Sequence, residues 1–102
     1  IEFLTPIQQT WYFSYYKYEL ALFQFVNGRN IEAMKNLDQC INNYGSEMDF
    51  ILGEAWLLKG MIYDIQNYRL DAKKAYKICM SLKNRSVTME RAAQLYKNAY
   101  SD

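Results

Sequence analysis

A chain of 102 residues has room for one small domain, and a content of 51% hydrophobic and 17% aromatic residues, with ten Tyr, supplies a core and excludes the disordered class. The formal net charge is +1, with Lys/Arg and Asp/Glu scattered, so neither a basic stripe for nucleic acid nor an acidic tail is present. No uninterrupted apolar run is longer than Leu20–Phe23, which is too short for membrane insertion.

Thr5-Pro6-Ile7-Gln8 reads as a helix start. Thr5 can cap, Pro6 suits the first helical position, and Gln8 can reach back as in a capping box. The pattern predicts a first helix to about Asn27, stopped by Gly28, which tolerates the left-handed conformation past a helix end. Asn30 is the expected cap of a second helix to about Asn43. Its predicted apolar face is Ile31, Met34, Leu37 and Ile41, with Ala33 and Cys40 beside it, and Tyr44-Gly45 ends it.

Ser46-Glu47-Met48-Asp49 is the next start signal, with a capping Ser and acidic residues in the first turn. The third helix is expected to reach about Gln66. Gly53 inside it costs about 1 kcal/mol relative to Ala, so a kink or later start is expected there. Asn67 takes the part of Gly28. A fourth helix from about Arg69 to Leu82 turns Leu70, Ala72, Ala75, Tyr76, Cys79 and Met80 inward. Lys83-Asn84-Arg85 forms a polar turn and Ser86 is the expected cap of a fifth helix, which spans about 87–100. That helix carries Met89, Ala92, Ala93, Tyr96 and Tyr100 on one face. No stretch alternates as a strand does.

Two halves of the chain match at an offset of 39 residues: Ala21/Gly60, Leu22/Met61, Phe23/Ile62, Gly28/Asn67, Ala33/Ala72, Leu37/Tyr76, Cys40/Cys79 and Ile41/Met80. Small pairs with small, large apolar with large apolar, and turn-former with turn-former. Trp56, Gly60 and Tyr63 share a helical stripe, with Ala72, Tyr76 and Cys79 on the next helix. This order resembles the tetratricopeptide repeat, a helix–turn–helix unit of about 34 residues. The copies here are longer, lack a Pro after their second helices, and have Lys17 and Gln24 where the first copy wants Trp and Tyr.

The resemblance implies an all-α fold over residues 1–102. Hairpins at about 6–43 and 47–82 and a capping helix would be stacked as a right-handed α-α solenoid. It also implies a groove lined by the first helix of each copy: Tyr15, Tyr18, Leu22, Phe25 and Val26, then Glu54, Leu57, Met61, Asp64 and Ile65. These positions are apolar and aromatic rather than Lys and Asn, which argues against capture of a terminal carboxylate. The same spacing equally fits a buried core, and Trp11, Tyr12 and Tyr16 form a possible second interface. The first helix carries more apolar surface than one neighbouring helix buries, so a further repeat or a second chain is expected to cover it.

The chain has no His, which removes the commonest general base and metal ligand. Glu47, Asp49 and Glu54 read as a solvated acidic helix start, and no Gly-rich phosphate loop occurs. A non-enzyme without metal or cofactor is expected. Its partner would be a protein or peptide, including a second copy of itself, with no nucleic acid and no membrane insertion. Alternatives are a structural or self-association domain and an accessory domain of a larger enzyme. Cys40 and Cys79 read as buried unbridged thiols, which with no signal peptide visible favours the cytoplasm. The first residue is Ile, not Met, so a fragment of a longer chain is expected.

Overall fold

The computed structural model describes residues 6–42, 49–82 and 87–101. These residues form five α-helices and contain no strand: α1 (Pro6–Val26), α2 (Asn30–Asn42), α3 (Asp49–Ile65), α4 (Arg69–Ser81) and α5 (Val87–Lys97). Contacts divide the chain into two compact units, Ile1–Leu52 and Gly53–Asp102. The expected signals at Thr5, at 44–48 and at 83–86 lie outside the described residues.

In the first unit α1 and α2 form a helical hairpin joined by three residues. Gly28 adopts φ 77°. Its N–H bonds the Phe25 carbonyl at 3.0 Å, and the Arg29 N–H bonds the Gln24 carbonyl at 2.8 Å. This pair of bonds is a Schellman turn, which satisfies carbonyls left over at the helix end. The first bond of α2 runs from the Ala33 N–H to the Arg29 carbonyl, 3.0 Å. Arg29 is therefore the cap residue, and Asn30 is the first helical residue rather than the cap expected of it. Ser14, Ala21, Ala33, Leu37 and Cys40 are buried, and the Ser14 hydroxyl donates to the Cys40 carbonyl at 3.3 Å.

The second unit repeats the turn 39 residues on. Asn67 has φ 65°. Its N–H bonds the Asp64 carbonyl at 3.1 Å, the Tyr68 N–H bonds the Tyr63 carbonyl at 2.8 Å, and the Ala72 N–H bonds the Tyr68 carbonyl at 2.9 Å. Asn follows Gly in tolerating the left-handed region, which is why it serves here. The apolar contact that often accompanies such a turn is an edge-to-face pair of Tyr63 and Tyr68, centroids 6.5 Å apart. The pair of positions equivalent to Ser14 and Cys40 is also bonded, with donor and acceptor exchanged: the Cys79 thiol donates to the Gly53 carbonyl at 3.4 Å. α3 runs through Gly53 without a break.

The core of the second unit is Leu57, Ala72, Tyr76, Cys79, Ala92 and Leu95. Gly60 lies against the Tyr76 ring of α4, one turn beyond Ala72 on that helix. A Cβ at Gly60 would sit 2.7 Å from Cδ1 and 2.9 Å from Cζ of that ring. The glycine is what admits the ring.

Two expected core residues are corrected. Ile31 is 67% exposed and Leu70 is 77% exposed. Each lies two positions before a buried Ala, about 200° round the helix, so burying Ala33 and Ala72 turns them to solvent. The fifth helix is shorter than expected, because Tyr100 lies beyond its end at Lys97. Thr88, Ala92 and Leu95 are its buried residues.

Candidate functional site

The ten groove positions do not share one environment. On α1, Tyr15 and Val26 are exposed, while Tyr18, Leu22 and Phe25 are half-buried. On α3, Glu54, Met61 and Ile65 are half-buried, but Leu57 and Asp64 are buried within the second unit. Leu57 belongs to the core, and Met61 packs against it. Those two α3 side chains thus pack with residues of α4 and α5. The Glu54 carboxylate accepts a hydrogen bond from the Thr88 hydroxyl of α5.

Asp64 lies in a polar node that the sequence reading did not find. Both its carboxylate oxygens accept from Arg69 Nη1 at 3.0 Å. The Tyr76 hydroxyl donates to it at 2.7 Å and the Tyr100 backbone N–H at 2.9 Å. Arg69 Nη2 turns to the end of α5 and donates to the carbonyls of Leu95, 2.9 Å, and Tyr96, 2.7 Å. A cation there satisfies carbonyls that have no helical partner and opposes the negative end of the helix. Burial, and then the hydrogen bond to Asp64, push the Tyr76 phenol well above its usual range, which keeps it a neutral donor. Every acceptor and donor named here is used within the fold, so the node ties α3, α4 and α5 together. The clue in the sequence was Asp64 and Tyr76 standing where the first copy has Phe25 and Leu37.

The two thiols are buried and unbridged. Burial raises each to about 11, with the Glu54 charge adding to the effect at Cys79. Such thiols are poor nucleophiles at neutral pH. Among the described residues, no group of three or more His, Cys, Asp or Glu could hold a metal ion. No helix there is long and apolar enough to cross a membrane. Hollows at the end of α5, beside Arg91, Gln94 and Asn98, and on α4, beside Lys74, Lys77 and Ile78, are open to solvent and not enclosed.

The most distinctive surface lies on α1. Tyr12 (53% exposed), Tyr16 (54%), Phe23 (63%) and Val26 (73%) are spaced four, seven and three apart, so they fall on one stripe with Glu19. Phe13 and Tyr15 flank it and are also exposed. The buried Ser14 and Ala21 occupy the opposite side of the helix. Lys17 Nζ lies 5.4 Å from the Phe13 ring centroid and 5.9 Å from that of Tyr16. The Glu19 carboxylate, through a hydrogen bond and its charge, raises the Tyr15 phenol above its usual range. Trp11 lies in α1, but its side chain is outside the described residues.

The chain matches no family model, no curated protein and no solved structure.

Proposed function

We propose that the chain is a protein-interaction module of the tetratricopeptide-like helical-repeat kind, and that it engages its partner through the exposed aromatic face of α1. The observation that carries this reading is the row Tyr12, Tyr16, Phe23 and Val26, four large apolar side chains left in solvent on one side of one helix. Contiguous exposed apolar surface is costly to keep unless something uses it, and Tyr and Phe are the residues that interfaces favour. Repetition of the turn at Gly28 and Asn67, and of the Ser14–Cys40 and Gly53–Cys79 crossings, supports the helical-repeat part of the proposal. A short solenoid is the architecture this repetition suits. Two buried thiols suit a reducing compartment such as the cytoplasm.

The partner face is centred on Tyr12 and Tyr16 and includes Tyr15 and Val26 of the first-copy groove set. Leu57 and Asp64 serve the fold. Two variants test this division. Leu57→Ser with Met61→Ser opens the core and lowers the melting temperature, costing about 3 kcal/mol or more. Tyr12→Ser with Tyr16→Ser and Phe23→Ser keeps helicity and melting temperature but loses affinity for a purified partner. The proposal is wrong if the triple variant melts like the core variant, or binds as the parent does.

A further inference from the structure

The 39-residue offset allows the α1 stripe to be compared with its counterpart on α3, position by position. Tyr12, Tyr16, Glu19 and Phe23 correspond to Ile51, Ala55, Leu58 and Ile62. The α3 residues are 2%, 0%, 4% and 0% exposed. The same face of the same repeat element is therefore built for burial in this protein. On α3 it is aliphatic and buried. On α1 it is aromatic with polar tips, a composition that tolerates water in one state and burial in another.

The order of residues on the α1 stripe says what covers it. Read along the helix it runs aromatic, hydroxyl donor, carboxylate acceptor, aromatic: Tyr12, Tyr16, Glu19, Phe23. Two such stripes placed antiparallel about a two-fold axis between positions 16 and 19 are self-complementary. Tyr12 meets Phe23 of the other copy, and the Tyr16 hydroxyl meets the other copy's Glu19 carboxylate. This register keeps the two Glu19 charges from facing each other, as they would in a pairing centred on residue 19. Half-exposed aromatic side chains offer about 100 Å² each, so the stripe with Phe13, Tyr15 and Val26 offers about 600 Å² per copy. That is somewhat below the area of a tight complex, about 800 Å² per partner, and fits a weak, reversible dimer.

We propose that the occupant of the α1 face is a second copy of this chain, paired antiparallel α1 to α1 with Tyr16 against Glu19 across the two-fold axis. This rests on the reading of α1 as the interaction face and names its partner. Symmetric pairing of one patch with itself is the commonest way soluble chains associate.

Sedimentation of the 102-residue chain from ~1 μM to ~1 mM tests it. The expected result is a monomer–dimer equilibrium. Tyr16→Glu sets carboxylate against carboxylate and raises the dissociation constant about tenfold or more. Adding Glu19→Lys to Tyr16→Glu restores a pair of opposite charges across the axis and recovers most of the loss. Circular dichroism checks that each variant keeps its helices, and both sites are solvent-exposed in the monomer. A chain that stays monomeric overturns the proposal, as does a dimer indifferent to Tyr16→Glu or not rescued by the charge swap. Relaxation of the Tyr12, Tyr16 and Phe23 ring protons by a gadolinium chelate separates the two levels. If the chelate reaches the rings of a persistent monomer, self-pairing fails but the face stays open to a different protein. If it does not reach them, the interaction reading fails with it.

Discussion

The first hairpin places Ala21 and Leu37 where the second places Gly60 and Tyr76, and all four positions are buried. Removing one methyl at position 60 makes room for a ring at position 76, and the ring brings a hydroxyl with it. That hydroxyl needs an acceptor, which Asp64 supplies where the first hairpin has Phe25. Asp64 in turn needs a cation, and Arg69 stands where the first hairpin has Asn30. Polar residues elsewhere cross the first hairpin, with Asn36 Nδ2 donating to Gln24 Oε1 at 2.7 Å, where the second has Ala75 and Tyr63. One backbone design thus carries two chemically different cores. An apolar position can become a buried ion pair only when several neighbours change in concert.

The largest test of this contrast is Asp64→Ala. It leaves the Tyr76 hydroxyl and the guanidinium of Arg69 without their shared acceptor. The Arg69 side chain is one-third exposed, which softens the penalty to about 3 kcal/mol. Chemical denaturation should show that loss, and an unchanged midpoint would mean that the clamp is not what holds α5.

Gly60→Ala comes next and changes sign with its surroundings. In the natural chain the added methyl collides with the Tyr76 ring and costs about 1–3 kcal/mol. In a Tyr76→Leu background, which copies the first hairpin, the same change gains up to about 1 kcal/mol from helix propensity. A double-mutant cycle measures the coupling, and additive effects would break the equivalence drawn between the hairpins.

The turns should respond alike. Gly28→Ala and Asn67→Ala each force a Cβ residue without Asn's tolerance into the left-handed region, costing about 1–2 kcal/mol. At Gly28 no atom lies within 4 Å of the new Cβ, so thermal melts there read backbone conformation alone.

The smallest effect is in alkali and is centred on Tyr76 of the second unit. Tyr76 has a folded-state pKa raised above its ordinary 10.0, so its contribution is complete below about pH 10 and is lost as the pH rises beyond it. Cys40 and Cys79, raised from 9.0 to about 11, act with the same sign, fading from pH 9 upward. Tyr76→Phe should flatten the fall in melting temperature between pH 10 and 11.5. Equal slopes in the two proteins would place the alkaline loss elsewhere.

The helices, both turns and the offset between hairpins were legible in the sequence, because Gly28, Asn67 and the Ala and Cys spacings are local signals. The inward placement of Ile31 and Leu70 failed because hydrophobicity alone does not rank competitors for one face. Ala33 and Ala72 win it by allowing close approach. Nothing near Leu57 and Asp64 in sequence announces that they are buried with residues from α4 and beyond. The Asp64 clamp was illegible for the same reason. Its partners lie between 5 and 36 residues away, and its meaning depends on where a helix end arrives.

That spread of distances sets an order of events in folding. Each hairpin closes over a connection of three residues, a short loop whose ends meet on the fastest timescale available to a chain. The bonds from Arg69 to Leu95 and Tyr96 span 26 and 27 residues and must wait until α5 has docked. Interactions that form after the rate-limiting step retard escape from the native state more than they hasten arrival. If α5 docks after the rate-limiting step, Arg69 and Asp64 act chiefly as a brake on unfolding. A chain that loses them should reach its native state about as quickly as before and leave it far sooner.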